Sequence, residues 1–519
     1  METNTNVDYL KSVRCADVYT ESSTDYVLPD YLGDVRKILF TEAILRPSGR
    51  FAGGDEVEFS GIVVYNVIYL DNEGGLCSVD FTSDYDYSVK CSGENYNDSI
   101  ADTRISNYAV RLVGPRKINA KASLVGSVNL CEKESLCASG DAFVGEYVPE
   151  INRGFAKVRV SKTSSVTERE YAESLATLDG AIADEVSVIH SYMDVMVDDV
   201  HQEESTACLR GKIRMCAVIK NNDEPAYCTE KTVAYEENID FESIMPDMTL
   251  IPQISVTSLR TEINAEETGC NVVMSAIVEM CVVGEGNQSV SLVLDGYLKE
   301  MPTDNGYESF NYTTLSDAVT VRESHSAEIS RSEIDSQQLR EIVFLTSTPK
   351  VEAVEPCDNG VTVSGEIRYS GIASELSSDK ISYTGIKFSK PFSININLNC
   401  QNDDKTHVDV EIHTQNASAS VDDEKLYVSC SLVCSAVATT DSCQEILSSM
   451  SCTDGKSYES DCAKITVYYP TPEDTLFSVA KRFRTSTLKV ASDNDITEAV
   501  FSHDNPNGSL AGVKKLVIY

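Results

Sequence analysis

The chain repeats itself. VRKILF at residues 35–40 returns as LREIVF at 339–344, and the FSG that ends at Gly61 returns as the VSG that ends at Gly365, both pairs displaced by 304 residues. Two matches at one displacement mark a copied structural unit, and a unit that recurs at this length must carry a hydrophobic face that it buries by itself or against its neighbours. A weaker middle copy sits about half-way, where LRG ends at Gly211 behind the apolar stretch VSVIHSYMDVMV of residues 186–197. After each glycine the chain runs through an apolar segment into a polar turn: IVVYNVIYLDNEGG, KIRMCAVIKNNDEP and EIRYSGIASELSSD.

The shared plan has the period of two that places successive side chains on opposite faces of a strand. In the third copy Val361, Val363, Ile367 and Tyr369 fall on one face and Thr362, Ser364, Glu366 and Arg368 on the other, while Leu209, Ile213, Met215, Ala217 and Ile219 form the apolar face of the middle copy. Turn residues such as Asp71-Asn72-Glu73-Gly74-Gly75 and Asn221-Asn222-Asp223 close hairpins. A second hairpin is expected further along each unit, at KINAKASLVGSVNL, NVVMSAIVEMCVV and KLYVSCSLVCSAV. The expectation is a mainly β chain of three tandem β-sandwich-like units. EREYAESLATLDGAIADEV, between the first two, and SRSEIDSQQLREI, before the third, are predicted to form short connecting helices.

A chain of 519 residues needs several hydrophobic cores, and its 82 Asp plus Glu against 43 Lys plus Arg give a formal net charge of -39. Such a surface repels phosphate backbones and anionic headgroups, so nucleic acid is not an expected partner and the charge is read as a solubility device. No apolar run approaches the length of a membrane helix, and the opening METNTNVDYLKSVRCADVYTE lacks the basic start and apolar stretch of a secretory signal. The expectation is a protein that stays in the cytoplasm of the cell that makes it and does not insert in a membrane. The seventeen cysteines are odd in number and scattered, and several, such as Cys216, Cys281 and Cys430, lie inside strand patterns as small hydrophobes. With no C-x-x-C pair, no metal site is predicted.

Nothing in the sequence assembles catalytic chemistry. The six histidines, His190, His201, His325, His407, His413 and His503, belong to no motif; His407 and His413, six apart in a predicted strand, could share a face but have no third ligand. There is no G-x-S-x-G elbow and no glycine-rich phosphate loop. No enzyme and no cofactor are expected.

Three passages, YLGDVRKILF, EFSGIVVYNVIYLDNEGGLCSVDFTSDYDYSV and VGPRKINAKASL, resemble SPOCS domains, the repeats of clostridial spore coat assembly proteins. The tail ITVYYPTPEDTLFSVAKRFRTSTLKVASDN, closing with KKLVIY, is similar to LysM, in which a strand precedes a G-D-T-L turn, a helix, an asparagine and a final strand. The resemblance implies SPOCS-like β domains at residues 1–150, 151–305 (with the helical connector) and 320–455, and a small α+β LysM-like domain at 464–519. Asp474, Thr475, Leu476 and Asn494 match the LysM pattern and become the groove or docking-turn residues, whereas Glu473 stands where the pattern has glycine. The segment TEAVFSHDNPNGSLAG is longer than a LysM domain requires. The function implied is a non-catalytic scaffold in spore coat or exosporium assembly, working in the mother cell at the forespore surface and binding coat or other assembly proteins. The alternative is a wall protein that binds N-acetylglucosamine glycan of peptidoglycan through the LysM-like domain.

Overall fold

The computed structural model describes residues 6–519 apart from 15–16, 54, 92–99, 138–147, 223, 242–243, 331–332, 335–338, 378–379, 401–403, 423–424, 453–464, 497–509 and 511. The first unit contains β1 (Asn6–Arg14), β2 (Val18–Val27), β3 (Val35–Gly53), β4 (Glu56–Asp71), β5 (Leu76–Lys90), β6 (Ile100–Gly114) and β7 (Lys117–Cys137). The second contains β8 (Glu150–Thr163), β9 (Thr167–Asp179), β10 (Val186–Glu203), β11 (Thr206–Asn221), β12 (Tyr227–Asp240), β13 (Thr249–Glu266) and β14 (Gly269–Tyr297). The third contains β15 (Thr303–Ser330), β16 (Leu339–Cys357), β17 (Gly360–Ser377), β18 (Lys380–Asn397), β19 (Thr406–Val421) and β20 (Lys425–Cys452). A small module follows, with β21 (Thr466–Tyr468), α1 (Leu476–Phe483), α2 (Thr487–Asp493) and β22 (Leu516–Ile518). The described chain is mainly β, with two short helices.

The three units have one topology. In each, a three-strand meander (β3-β4-β5, β10-β11-β12, β16-β17-β18) makes one sheet. The last strand makes the other, flanked by the strand before it and by a strand from the start of the unit (β6-β7-β2, β13-β14-β9, β19-β20-β15). The two sheets face each other, and alternation decides which residues meet. Val63, Tyr65, Val67 and Tyr69 pack on Ile118, Ala120 and Leu124. Leu209, Ile213, Met215 and Ile219 pack on Val272, Met274 and Met280. Val361, Val363, Ile367 and Tyr369 pack on Leu426, Val428 and Leu432. Cys216 and Cys430 are buried in no disulfide.

Two sequence expectations need correction. The connector predicted to be helical is strand β9 over Thr167–Asp179, followed by a single 3-10 turn at Ala183–Glu185, because its side chains alternate along the free edge of β14 and the ladder satisfies the backbone. Of SRSEIDSQQLREI, residues 331–332 and 335–338 lie outside the described residues; Ser330 ends β15, Glu333 and Ile334 lie in a turn, and Leu339 begins β16. The passages read as second hairpins are each one strand, β7, β14 or β20, whose hairpin partner is the strand before it. β15 runs from Thr303 to Ser330, with bulges between Gly306 and Tyr307 and between Leu315 and Asp317.

Each closing strand also outruns its sandwich and forms a two-stranded arm. The distal part of β7 pairs β1, that of β14 pairs β8, and that of β20 pairs the first half of β15. The second and third arms share a small core of Ala156, Val158, Val290, Leu292, Phe310 and Ile446.

Irregularities recur in register. The first meander strand is bulged between Ile38 and Phe40, Val188 and His190, and Ile342 and Phe344, and again between Pro47 and Gly49, Val197 and Asp199, and Val351 and Ala353. Opposite the second bulge lies the repeated glycine, paired with an aromatic residue of the third meander strand: Gly61 with Tyr85, Gly211 with Tyr235, Gly365 with Phe392. A Cβ on Gly61 would come within 2.5 Å of Tyr85 Oη and 2.6 Å of the Arg46 carbonyl. The motif glycine is therefore the gap over which that ring lies while the bulged strand bends towards it.

The outer faces of the meanders converge. Phe40, Ile68, Leu70 and Leu76 of the first unit, Ile189, Val218 and Ala226 of the second, and Val343, Phe344, Ile372 and Tyr383 of the third form one buried cluster. The contacts run cyclically, β5 to β10, β12 to β16 and β18 to β3, so the units close a ring of three. Tyr383 Oη accepts the Ala226 amide across one seam at 2.7 Å. The polar face of each middle strand turns apolar where it meets the junction, at Ile68, Val218 and Ile372, because there both faces of the strand are covered.

Candidate functional site

Two places combine residues from different parts of the chain. The first is the centre of the ring. Phe40, His190 and Phe344 occupy the same register in their units, and their rings form a triangle with centroid separations of 5.4, 5.0 and 5.0 Å. His190 is buried, its Nε2 has no hydrogen-bond partner, and burial pushes its pKa down to about 4, so the ring is neutral. The Glu42 carboxylate stands 3.9 Å from that nitrogen; burial raises it and the Asn66 amide, donating at 3.2 Å, offsets part of the effect.

Two residues further along the same faces, Glu42, Tyr192 and Thr346 open into a cavity of about 740 Å³ that draws its wall from all three units. Its charged groups include Glu42, Arg46, Asp194 and Glu279. Asp194 accepts the Asn416 amide at 3.2 Å and lies 3.7 Å from the Arg214 guanidinium, while burial holds its carboxyl above the ordinary range. The cavity thus begins two residues beyond the aromatic triangle, along the same three bulged strands.

The second place is the C-terminal module, where the residues singled out from sequence lie. Asp474 Oδ2 accepts from the Thr471 amide at 2.7 Å, the Thr471 hydroxyl at 3.0 Å and the Tyr468 hydroxyl at 2.8 Å, and these bonds, the Thr471 amide first, lower its pKa. Thr475 caps α1 in a reciprocal capping box with Ser478. Leu476 is fully buried with Val479, Ala480, Val490 and Leu516. Asn494 donates to the carbonyls of Val490 and Val517 at 2.9 and 2.8 Å and accepts the Val517 amide at 2.6 Å, tying the end of α2 to β22. All four residues are engaged in holding the module's own turn, helices and strands. Glu473 is exposed in the turn and is not among the residues with positive φ, so its backbone does not demand glycine. Most of TEAVFSHDNPNGSLAG lies outside the described residues.

The module is fixed to the second arm. Tyr297, the last residue of β14, packs edge-on against Phe477 at 5.3 Å and donates to the Thr485 carbonyl at 2.6 Å; Lys481 pairs with Asp295 at 2.5 Å. On the sheet face turned away from the helices, Ile465, Val467, Tyr469 and Tyr519 are exposed, at 61%, 51%, 70% and 59%. This apolar stripe was not singled out from sequence, although I-T-V-Y-Y already alternates.

His407 and His413 are exposed on β19, each beside its own carboxylate, Asp441 and Glu411. Among the described residues, His201, Glu203 and Cys208 bring three potential metal ligands together, and no helix is long and apolar enough to cross a membrane, which says nothing of strands.

Set against protein-family models, curated proteins and solved structures, the chain finds no match.

Proposed function

We propose that this protein is a non-catalytic scaffold of the kind suggested by its resemblance to SPOCS and LysM proteins, which brings coat or other assembly proteins to the forespore surface from the mother-cell cytoplasm. The observation that carries the reading is the placement of the C-terminal module. Its helices are bound to the arm of a closed three-unit body, and its exposed apolar stripe of Ile465, Val467, Tyr469 and Tyr519 points away from them. A stripe of this kind, held on a rigid support, suits a partner's hydrophobic face. The acidic surface elsewhere limits self-association.

The test is a fluorescent fusion of the full chain followed through sporulation, beside a Val467→Asp/Tyr469→Asp variant. The reading expects the fusion to gather around the forespore and the variant to stay diffuse. A parent fusion that remains diffuse would remove it. Co-sedimentation of the full chain with purified peptidoglycan, lost in the same variant, would make the stripe a sugar platform instead.

A further inference from the structure

The strand pair β10–β11 carries a group of side chains that neither the ring nor the C-terminal module uses. Asp199, His201 and Glu203 alternate along β10 and therefore share a face. The antiparallel register sets Cys208 opposite His201 on that same face, and a two-residue turn at Glu204-Ser205, with Glu204 at φ 50°, pins the strands together. The ligand atoms of His201, Glu203 and Cys208 all lie within 4.8 Å of one another. His201 Nδ1 is 2.8 Å from Asp199 Oδ2 and Nε2 is 3.1 Å from Glu203 Oε1.

This arrangement has a chemical asymmetry. A neutral imidazole has one N–H, yet here each ring nitrogen faces a carboxylate. An imidazolium would donate to both carboxylates; on the neutral ring one nitrogen donates to its carboxylate, and a metal cation on the other takes the place of the second proton beside the second carboxylate. Cys208 is 1% exposed, does not belong to the sandwich core built by its neighbours Ala207 and Leu209, and turns its sulfur to the side where His201 and Glu203 lie.

We propose that His201 Nε2, a Glu203 oxygen and the Cys208 thiolate bind a zinc-type divalent metal ion, with the Asp199 carboxylate accepting the Nδ1–H of His201 and so orienting the ring. The thiol gives up its proton on binding, and water fills the fourth position. Nitrogen, sulfur and oxygen donors in one small set suit zinc or cobalt; calcium and magnesium, which take oxygen ligands, are not matched. The Asp199 to His201 contact is the carboxylate–histidine pairing that fixes tautomer and ring orientation at such sites. His201 and Glu203 have side chains 35% and 53% exposed, which leaves the ion a way in. The pattern H-x-E-x4-C straddles a hairpin turn, so a search for paired cysteines passes over it.

The experiment titrates the chelator-treated full chain with Co2+ and records its absorption. The expected result is one equivalent bound, with a thiolate-to-cobalt charge-transfer band that Zn2+ removes by displacement. Cys208→Ser should abolish the band, His201→Ala should weaken binding at least tenfold, and Asp199→Asn should weaken it about 10–100-fold while keeping the band. Because Cys208 is buried, Glu203→Gln at an exposed position serves as the second variant and should also lose at least tenfold. No stoichiometric Co2+ binding, or a band and affinity unchanged in Cys208→Ser and Glu203→Gln, would overturn the site and leave the group as an ion-paired histidine beside a buried thiol.

Discussion

The His190 imidazole stands in the register position that Phe344 holds in the next unit, with the two rings 5.0 Å apart. A polar ring with an unpartnered Nε2 therefore occupies a place that its two counterparts fill with hydrocarbon. His190→Phe should raise the midpoint of urea unfolding at pH 7.5 by the equivalent of about 1–2 kcal/mol, the ordinary cost of an unsatisfied buried polar atom. A variant less stable than the parent at that pH would show that the junction needs the smaller ring.

The same residue sets a pH dependence. Its folded pKa, about 4, lies below the ordinary 6.5. Above pH 6.5 both states carry it neutral; as pH falls, the unfolded chain takes up the proton first and stability is lost until the folded pKa is reached. The loss amounts to roughly 3 kcal/mol by pH 4. Glu42, raised and 3.9 Å away, titrates with the opposite sense, so the comparison is parent against His190→Phe, unfolded in urea at pH 7.5 and 5.0. The variant should lose less stability between the two pH values than the parent does; equal losses would discount His190 as the cause.

At the motif glycine, Gly61→Ala should destabilise by about 1–3 kcal/mol, because its Cβ would press on Tyr85 and on the Arg46 carbonyl. Gly114→Ala, where nothing lies within 4 Å, is the matched control and should change little. Thermal unfolding of both variants decides.

Asn494→Ala should release β22 from α2 by removing three hydrogen bonds, at a cost of about 2–3 kcal/mol to the C-terminal module. Faster hydrogen exchange at the Val517 amide is the direct reading. Unaltered exchange there would show that the asparagine does not hold the strand.

Tyr297→Ala combined with Lys481→Glu should detach the module from the second arm, since it removes the ring contact with Phe477 and the bond to Thr485 and reverses a charge beside Asp295. A larger radius of gyration in small-angle scattering, with unchanged strand content, is the expected outcome.

Much of the unit was legible because alternation and turn chemistry are local. Val361, Val363, Ile367 and Tyr369 could be assigned to one face without knowing what lay opposite, and Asp71 to Gly75 announced its hairpin, with Asp71 Oδ1 accepting the Gly75 amide. β9 was misread because its charged edge-strand sequence gains its backbone partners from β14, about a hundred residues further on. The middle copy looked weak partly because histidine replaces phenylalanine at position 190. The junction was invisible for a related reason: Ile68, Val218 and Ile372 read as extra apolar residues on a polar face until three units are brought together. At the C-terminus the resemblance picked out Asp474, Thr475, Leu476 and Asn494; the capping box of Thr475 with Ser478 and the turn of Asp474 with Thr471 are local, whereas the burial of Leu476 and the bonds of Asn494 to Val517 depend on tertiary packing that no spacing reveals.

Cyclic contact between the meanders has a consequence for copy number. Every unit offers one strip from its first strand and one from its third, and in a ring of three each strip is already matched. A fourth unit would have nowhere to join, and a chain shortened to two would bare Phe40 or Phe344 to water. Such a truncated molecule could complete its circle only by borrowing the missing part from another copy, so a deletion meant to simplify the protein would turn a chain that closes its own ring into one that must exchange units to do so.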